Sequence, residues 1–415
     1  MTPTPSTIQR TYLVLTTVTT LATSFIWGVN TLFLLDAGLS NTEAFAANAF
    51  YAIGQVLFEV PTGVVADTRG RRFSYLLGAA TLLVSTVLYL VMWQIHAPFI
   101  GWALASALLG LGFTFFSGAT EAWLVDALGA TGFSGQLDTV FGRAQTASGA
   151  AMLIGSVAGG IVAQVADLGV PYILRAGMLG VTLVIAYRFM HDVGFTPRHG
   201  ADPVTEVRNV VRGSIDAGWR NPPVRALMLA APFSSGVGFF AFYASQPYLL
   251  QLYGDPNAYS VAGLAAALFA GAQILGGILV PYARRMFRRR TDAVLIGTVA
   301  SVGIFLIIGV TDSFVLALVL LAAWALVFAV EGPLRQAFIN GIIPSEQRAT
   351  VLSFDSFMGS IGGAVAQPAL GRVSDVYGYG PAYLVAGAVQ TLAIPFVILA
   401  RRQRAVSDPI PAASA

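Results

Sequence analysis

The sequence predicts an all-α integral membrane protein with twelve transmembrane helices in two pseudo-symmetric six-helix bundles. Three observations lead there. The 415 residues are 56% hydrophobic and 10% charged, with a mean hydropathy of +0.73, against about 25% charged residues in a soluble domain. A bilayer is the solvent that suits such a surface. Apolar stretches long enough to cross it, about 20 residues each, centre near residues 24, 54, 83, 112, 151, 180, 238, 271, 301, 326, 360 and 391. Short segments of the first half also return, in order, about half a chain later.

The first stretch, from Thr11 to Leu35, is too long for a signal-peptide core and lacks a clear cleavage site, so it reads as a retained membrane helix. Several later spans exceed the minimum length and carry Gly or Pro, as tilted or bent helices do. The 44 glycines suit helices that approach closely in lipid. All 23 basic residues are arginines, and they orient the chain. With the N-terminus inside, Arg10, the 69–72 loop, the stretch from Arg188 to Arg225, "RRMFRRR" at 284–290 and "RRQR" at 401–404 all face the cytoplasm. The opposite connections hold Asp36, Glu43, Asp167, Asp255 and Asp312, with Arg175 and Arg372 nearby. Both termini are then cytoplasmic, and a bacterial inner (cytoplasmic) membrane is the expected location.

The longest polar connection divides the spans six and six. The expected organisation is an N-terminal bundle over 1–190, a linker over 191–222, a C-terminal bundle over 223–402 and a tail over 403–415. Within the linker, Asp202 can cap a helix that has Pro203 in its first turn. Val204, Val207, Val211, Ile215 and Trp219 then fall on one face. This is an amphipathic helix at the membrane surface or, equally, a solvated linker helix.

The repeats support the division. "GGIVAQ" at 159–164 returns as "GGAVAQ" at 362–367, and "PYILRAG" at 171–177 as "PAYLVAG" at 381–387. "GRAQTAS" at 142–148 is echoed by "EQRATVLS" at 346–353. Parallel six-helix repeats about the membrane normal are a known transporter plan.

Residues 63–72, "GVVADTRGRR", concentrate charge in one short connection. Asp67 sits where the second helix leaves the membrane, and Arg69, Arg71 and Arg72 can anchor the turn at anionic headgroups. Gly63 can let a neighbouring helix approach. The spacing Gly63, Asp67, Gly70, Arg71, Arg72 resembles the loop motif of the major facilitator superfamily between its second and third helices. Thr68 and Arg69 depart from that pattern, because the first arginine is displaced. The resemblance extends over the chain through span number, central loop and internal repeat. It implies a transporter working by alternating access, generally monomeric, in which the loop forms a latch. Asp126, at the cytoplasmic end of the fourth span, is the partner expected for Arg71.

Ionisable groups inside a span are costly and mark function or pairing. Glu59, Glu121, Glu331 and Asp355 each lie ~10 Å from the cytoplasmic surface, counting helix rise from the loops. A carboxylate whose surroundings change between two states binds its proton differently in each, which is the chemistry of proton coupling. Glu59 has no charged neighbour within one turn and ranks first, and Glu121 ranks second. Glu331 stands one turn before Arg335, which points to a static ion pair. Asp355 has Arg348 or a residue of the other half as possible partners.

Antiporters of the superfamily carry a glycine-rich motif in the fifth span. Gly155, Gly159 and Gly160 match it as helix-bend glycines, and Ser156 stands where the motif has proline. The arginine common in the fourth span of drug antiporters is absent, with Thr114 near that point. Trp27, Phe113, Phe116, Phe239 and Tyr243 supply aromatic surface, and Asn30, Gln246 and Gln273 polar handles. Such a lining suits an amphipathic and even cationic organic molecule, while lipid-facing packing accounts for individual aromatics equally well.

Several classes fall away. There is no cysteine, and His96, His191 and His199 lie in or beside polar connections, so no metal site or thiol chemistry is expected. Nothing resembles a phosphate-binding loop, no catalytic constellation appears, and no cofactor or nucleic acid is implied. The expected partners are a small organic substrate, protons and the lipid bilayer. The leading expectation is proton-coupled export of a drug-like or metabolite molecule. Uptake by proton symport or facilitated diffusion is the alternative within transport. A receptor or lipid-handling protein on the same fold is the other class.

Overall fold

The computed structural model describes residues 4–197, 218–343 and 348–410, with the single positions 205, 208 and 212. The linker helix expected around 203–219 therefore falls largely outside the described residues. Regular structure among them is helical, apart from one isolated antiparallel bridge between Arg289 and Pro409.

In chain order the helices are α1 (Pro5–Trp27), α2 (Asn30–Asp36), α3 (Asn41–Arg69), α4 (Arg71–Gln94), α5 (Phe99–Thr114), α6 (Ala119–Ala130), α7 (Leu137–Val165) and α8 (Val170–Phe189). They continue with α9 (Pro222–Tyr253), α10 (Tyr259–Met286), α11 (Arg290–Val310), α12 (Phe314–Asn340), α13 (Arg348–Tyr377), α14 (Tyr379–Thr391) and α15 (Ala393–Arg402). Each of the twelve expected centres falls on a helix. By length and composition ten spans qualify, eight of them single helices and two the pairs α5–α6 and α14–α15, and the α1–α2 pair, bent by 47°, brings the number to eleven. The 30-residue α13 is long enough to span but is not among them, since it carries Asp355, Gln367, Arg372 and Asp375.

Local chemistry explains the starts and breaks. Thr4 caps α1 by accepting from the Thr7 N–H at 3.3 Å, with Pro5 in the first turn. Ser40 and Glu43 form a reciprocal capping box at the start of α3, with N–H bonds of 2.9 and 3.3 Å. The Asp167 carboxylate accepts from the N–H groups of Gly169 and Val170 at the start of α8. The fourth apolar stretch breaks between α5 and α6 over 115–118, where Gly118 takes a φ of +68°. Free carbonyls at this break are satisfied from other helices. The Thr62 hydroxyl donates to Thr114 O at 3.1 Å, and the Ser74 hydroxyl donates to Phe115 O at 2.9 Å. Inside a membrane such partners are obligatory, because no water replaces them.

The chain forms two compact units. The first comprises Met1–Gly38, Phe50–Val207 and Asn257–Ala267, and the second Leu39–Ala49, Arg208–Pro256 and Leu268–Ala415. The first unit packs Ile8, Tyr12 and Leu15 of α1 against Tyr75, Trp123, Leu124 and Ala186. The second packs Val224, Leu227 and Met228 of α9 against Phe338, Ile339, Val351 and Val397. Exposed residues on α4, α5 and α8 include Val84, Val87, Ile100, Leu104 and Val184, an apolar exterior that a bilayer solvates.

Both units fix the start of their third long helix in the same way. Asp192, just after α8, accepts from the Arg72 N–H of α4 at 2.8 Å. Asp408, after α15, accepts from the Thr291 N–H of α11 at 2.9 Å and from its hydroxyl. A carboxylate at a helix N-terminus satisfies free N–H groups and opposes the helix dipole. The repeat read in the sequence is thus present in the capping as well.

Candidate functional site

The charged loop at 67–72 is built on α3, α4 and α6. Arg71, opening α4, pairs with the Asp67 carboxylate, and its Nε stands 3.7 Å from Oδ2 of Asp126 on α6. Both acids are about one-third exposed, so the cluster is wet and can open. Arg71 also lies over the Phe195 ring at 5.7 Å, and Arg72 over Tyr187 at 5.1 Å. The turn itself needs Gly70. Its φ is +110°, and a Cβ there would meet Asp192 Oδ2. Gly63 behaves otherwise than expected: no described atom of a neighbouring helix lies within 4 Å of a Cβ at that position, so it makes no close helix contact in this structure.

Deeper in the same unit, the Glu59 carboxylate accepts from the Ser117 hydroxyl at 2.6 Å. Ser117 belongs to the break between α5 and α6, so Glu59 of α3 is attached to the discontinuity of the fourth span. Glu121 lies in the first turn of α6 and is exposed, where a negative charge suits the helix dipole.

The second unit departs from the expected pairing. Arg335 gives both terminal nitrogens to the Asp355 carboxylate, the Nη2–Oδ1 distance being 2.6 Å, and Nη2 also donates to Leu227 O at 3.0 Å. Asp355 is buried, and its partner is neither Arg348 nor a residue of the first half. The one-turn pair of Glu331 with Arg335 does not form as an ion pair among the described residues. Bidentate geometry with a buried acid outcompetes a neighbour on the same helix. The Glu331 carboxylate instead lies against α11, where a Cβ on Gly297 would come within 2.7 Å of Oε2.

The aromatic candidates separate. Phe113 meets Tyr51 edge-on at 5.7 Å and lies 5.9 Å from the guanidinium of Arg175, which is 1% exposed and donates to the Thr86 hydroxyl at 3.0 Å. Phe116 packs on Tyr75 at 4.6 Å. Asn30, buried just beyond the α1–α2 bend at Trp27, accepts from the Tyr172 hydroxyl at 2.8 Å. In the second unit Tyr243 sits 5.3 Å from Phe242, Gln246 is buried, and Phe239 and Gln273 are exposed.

Gly155, Gly159 and Gly160 lie in α7, which runs unbroken through them. Their role here is contact. A Cβ on Gly155 would overlap the Ser24 side chain, one on Gly159 the carbonyl of Phe25, and one on Gly160 would reach 2.8 Å from the Gly263 Cα. Sequence reading missed Ser117, Asp192 and Asp375. Ser117 carried a signal in its "SG" dipeptide, whereas the two acids act on helices far away in sequence. No group of metal-binding side chains occurs among the described residues.

An all-helical chain with these apolar spans, paired caps and charges gathered at helix ends is a multi-pass membrane protein of transporter type. The sequence profile of the Major Facilitator Superfamily matches residues 12–367, and the chain belongs to that family. No curated protein matches the sequence. Solved structures of the same fold include the nucleoside transporter NupG, with a TM-score of 0.79 at 11% identity over 94% of this chain and 98% of that one. A bacterial homolog of the human lysosomal transporter Spinster, in an inward-facing and occupied conformation, gives 0.74 at 14% identity over 99% and 100%. A D-xylose–proton symporter gives 0.68 at 14% identity over 95% and 96%.

Proposed function

We propose that this superfamily transporter is driven by the proton gradient and exports an amphipathic organic molecule in exchange for protons. The observation that carries the reading is the attachment of Glu59 to Ser117 at the break of the fourth span. A carboxylate with no cation partner among the described residues, held by a hydroxyl at a helix discontinuity, changes its hold on a proton when that discontinuity moves. Glu331, which makes no direct ion pair with Arg335 among the described residues, is the counterpart in the second unit, and Glu121 is a further candidate. The Asp67–Arg71–Asp126 cluster serves as a latch that opens and closes with the cycle. The substrate contacts are drawn from Trp27, Asn30, Phe113, Phe116, Phe239, Tyr243, Gln246 and Gln273. The protein works as a monomer in a bacterial cytoplasmic membrane with both termini inside, as the arginine distribution supports.

The glycine-rich stretch of α7 favours export. Uptake by symport is the second reading, favoured by the lack of any basic residue in the fourth span (99–130), and one of the structural neighbours is a proton symporter. Proton flux on substrate addition to proteoliposomes separates the two. Countermovement of protons and substrate supports export, movement together establishes symport, and substrate flux without protons removes coupling.

A further inference from the structure

Two helices are shared between the compact units. Residues 41–49 of α3 cluster with the second unit and 50–69 with the first, whereas 259–267 of α10 cluster with the first and the rest with the second. Each of these leading pieces bonds to a side chain at the C-terminal end of another helix. Asp375 of α13 accepts from the N–H groups of Asn41 and Thr42 at 2.8 and 3.0 Å and from the Thr42 hydroxyl at 2.5 Å. Gln164 of α7 accepts through Oε1 from the Ser260 N–H at 3.0 Å. The two holders stand about half a chain apart, as do the two held helix starts, in the manner of the sequence repeats.

The two attachments differ in strength. Free N–H groups in a helix's first turn favour a negative acceptor, and charge-assisted hydrogen bonds are about twice as strong as neutral ones. Asp375 offers a full charge and three bonds, and Tyr379 adds a hydroxyl to Asn41. Gln164 offers a neutral amide and one bond. The packing beside both is close: a Cβ on Gly371 would meet the Phe45 ring at 2.8 Å and Asn41 O at 2.9 Å, and Gly263 lies against Gly160. Movement of one unit against the other must either bend α3 near residue 49 and α10 near residue 267 or part these attachments. Neither crossing point has a helix break, and the internal prolines are elsewhere, at 61 and 281.

We infer that Asp375 and Gln164 are a matched pair of releasable catches, and that their combined strength favours the state of the transport cycle in which both are closed. The inference rests on the alternating-access reading. It assigns Asp375 as the dominant catch and Gln164 as a weak one that a negative charge would tighten.

The absence of native cysteine allows a direct test with single cysteines and a maleimide in proteoliposomes. Ala47 and Ala262 are fully buried in the two held pieces, and Ala79 is fully buried within the first unit. Asp375→Asn is expected to speed labelling of Ala47→Cys about tenfold, leaving Ala79→Cys unchanged, while Asp375→Glu stays near the parent rate. Gln164→Glu is expected to slow labelling of Ala262→Cys. Equal labelling of Ala47→Cys in Asp375→Asn and the parent overturns the inference. Should Asp375→Asn also speed Ala79→Cys, the variant has loosened globally and Gln164→Glu decides: no slowing at Ala262→Cys overturns it. The labelling needs no substrate. Charge-dependent labelling without transport would sink the functional reading alone, and transport with charge-independent labelling would sink the catches alone.

Discussion

The Ser117 hydroxyl donates to the Glu59 carboxylate across 2.6 Å, joining α3 to the gap between α5 and α6. This bond places a titratable group at the one point of the fourth span where the helical hydrogen-bond ladder is interrupted. Removing either partner should therefore affect coupling more than folding. Glu59→Gln is expected to abolish substrate-dependent proton flux while substrate exchange persists. Ser117→Ala should weaken coupling about tenfold or less, in line with loss of one hydrogen bond to a charged group. Proteoliposome flux with a pH-sensitive dye reads both.

Asp67 and Asp126 share Arg71 at a partly exposed site, where ion pairs contribute at most about 1 kcal/mol. Asp67→Asn should leave expression and unfolding temperature near those of the parent and slow turnover or favour the inward-open state. Cysteine accessibility from the cytoplasmic side measures the bias. Parent values for both accessibility and turnover would remove the latch.

Arg335 and Asp355 form a buried pair. Breaking such a pair by removing one partner costs about 3–5 kcal/mol, whereas replacing both by apolar groups of similar size is often near neutral. Asp355→Leu alone should sharply lower thermal stability in detergent, and Arg335→Met with Asp355→Leu should recover most of the loss. If the double variant is as unstable as the single one, the pair is engaged elsewhere in the cycle.

Glycine substitutions should divide by contact. Gly159→Ala forces a Cβ into the Phe25 carbonyl, and overpacking of this kind costs about 1–3 kcal/mol. Gly63→Ala meets nothing within 4 Å and should be neutral or stabilising by up to about 1 kcal/mol, since alanine favours the helix. Unfolding curves in detergent compare them.

How much of this was legible follows from the range of the interactions. Span positions came from runs of apolar residues, a local signal that lipid makes strict. The breaks at Gly28–Val29 and over 115–118 did not, because both lie inside apolar stretches, and at 115–118 the free carbonyls are satisfied by Thr62 and Ser74 from elsewhere. The charged loop was recognisable from its spacing. Its hold on Asp192 was not, since a helix cap from 120 residues away leaves no local pattern. Glu331 and Arg335 illustrate the opposite error: one-turn spacing suggested a pair, and tertiary packing supplied Asp355 instead. The glycines of α7 were expected as helix-bend residues, whereas in this structure α7 runs unbroken through them and they make close contact with α1 and α10.

The central claim is proton-driven export with Glu59 in the coupling path, and one comparison tests it most directly. Cells stripped of their own pumps, expressing the parent or Glu59→Gln, are loaded with a fluorescent cationic dye with and without a protonophore. The account predicts low dye in parent cells, rising both with the protonophore and in the Glu59 variant. Dye accumulation that parent expression leaves unchanged would contradict broad export, and low dye that neither treatment raises would contradict proton coupling through Glu59.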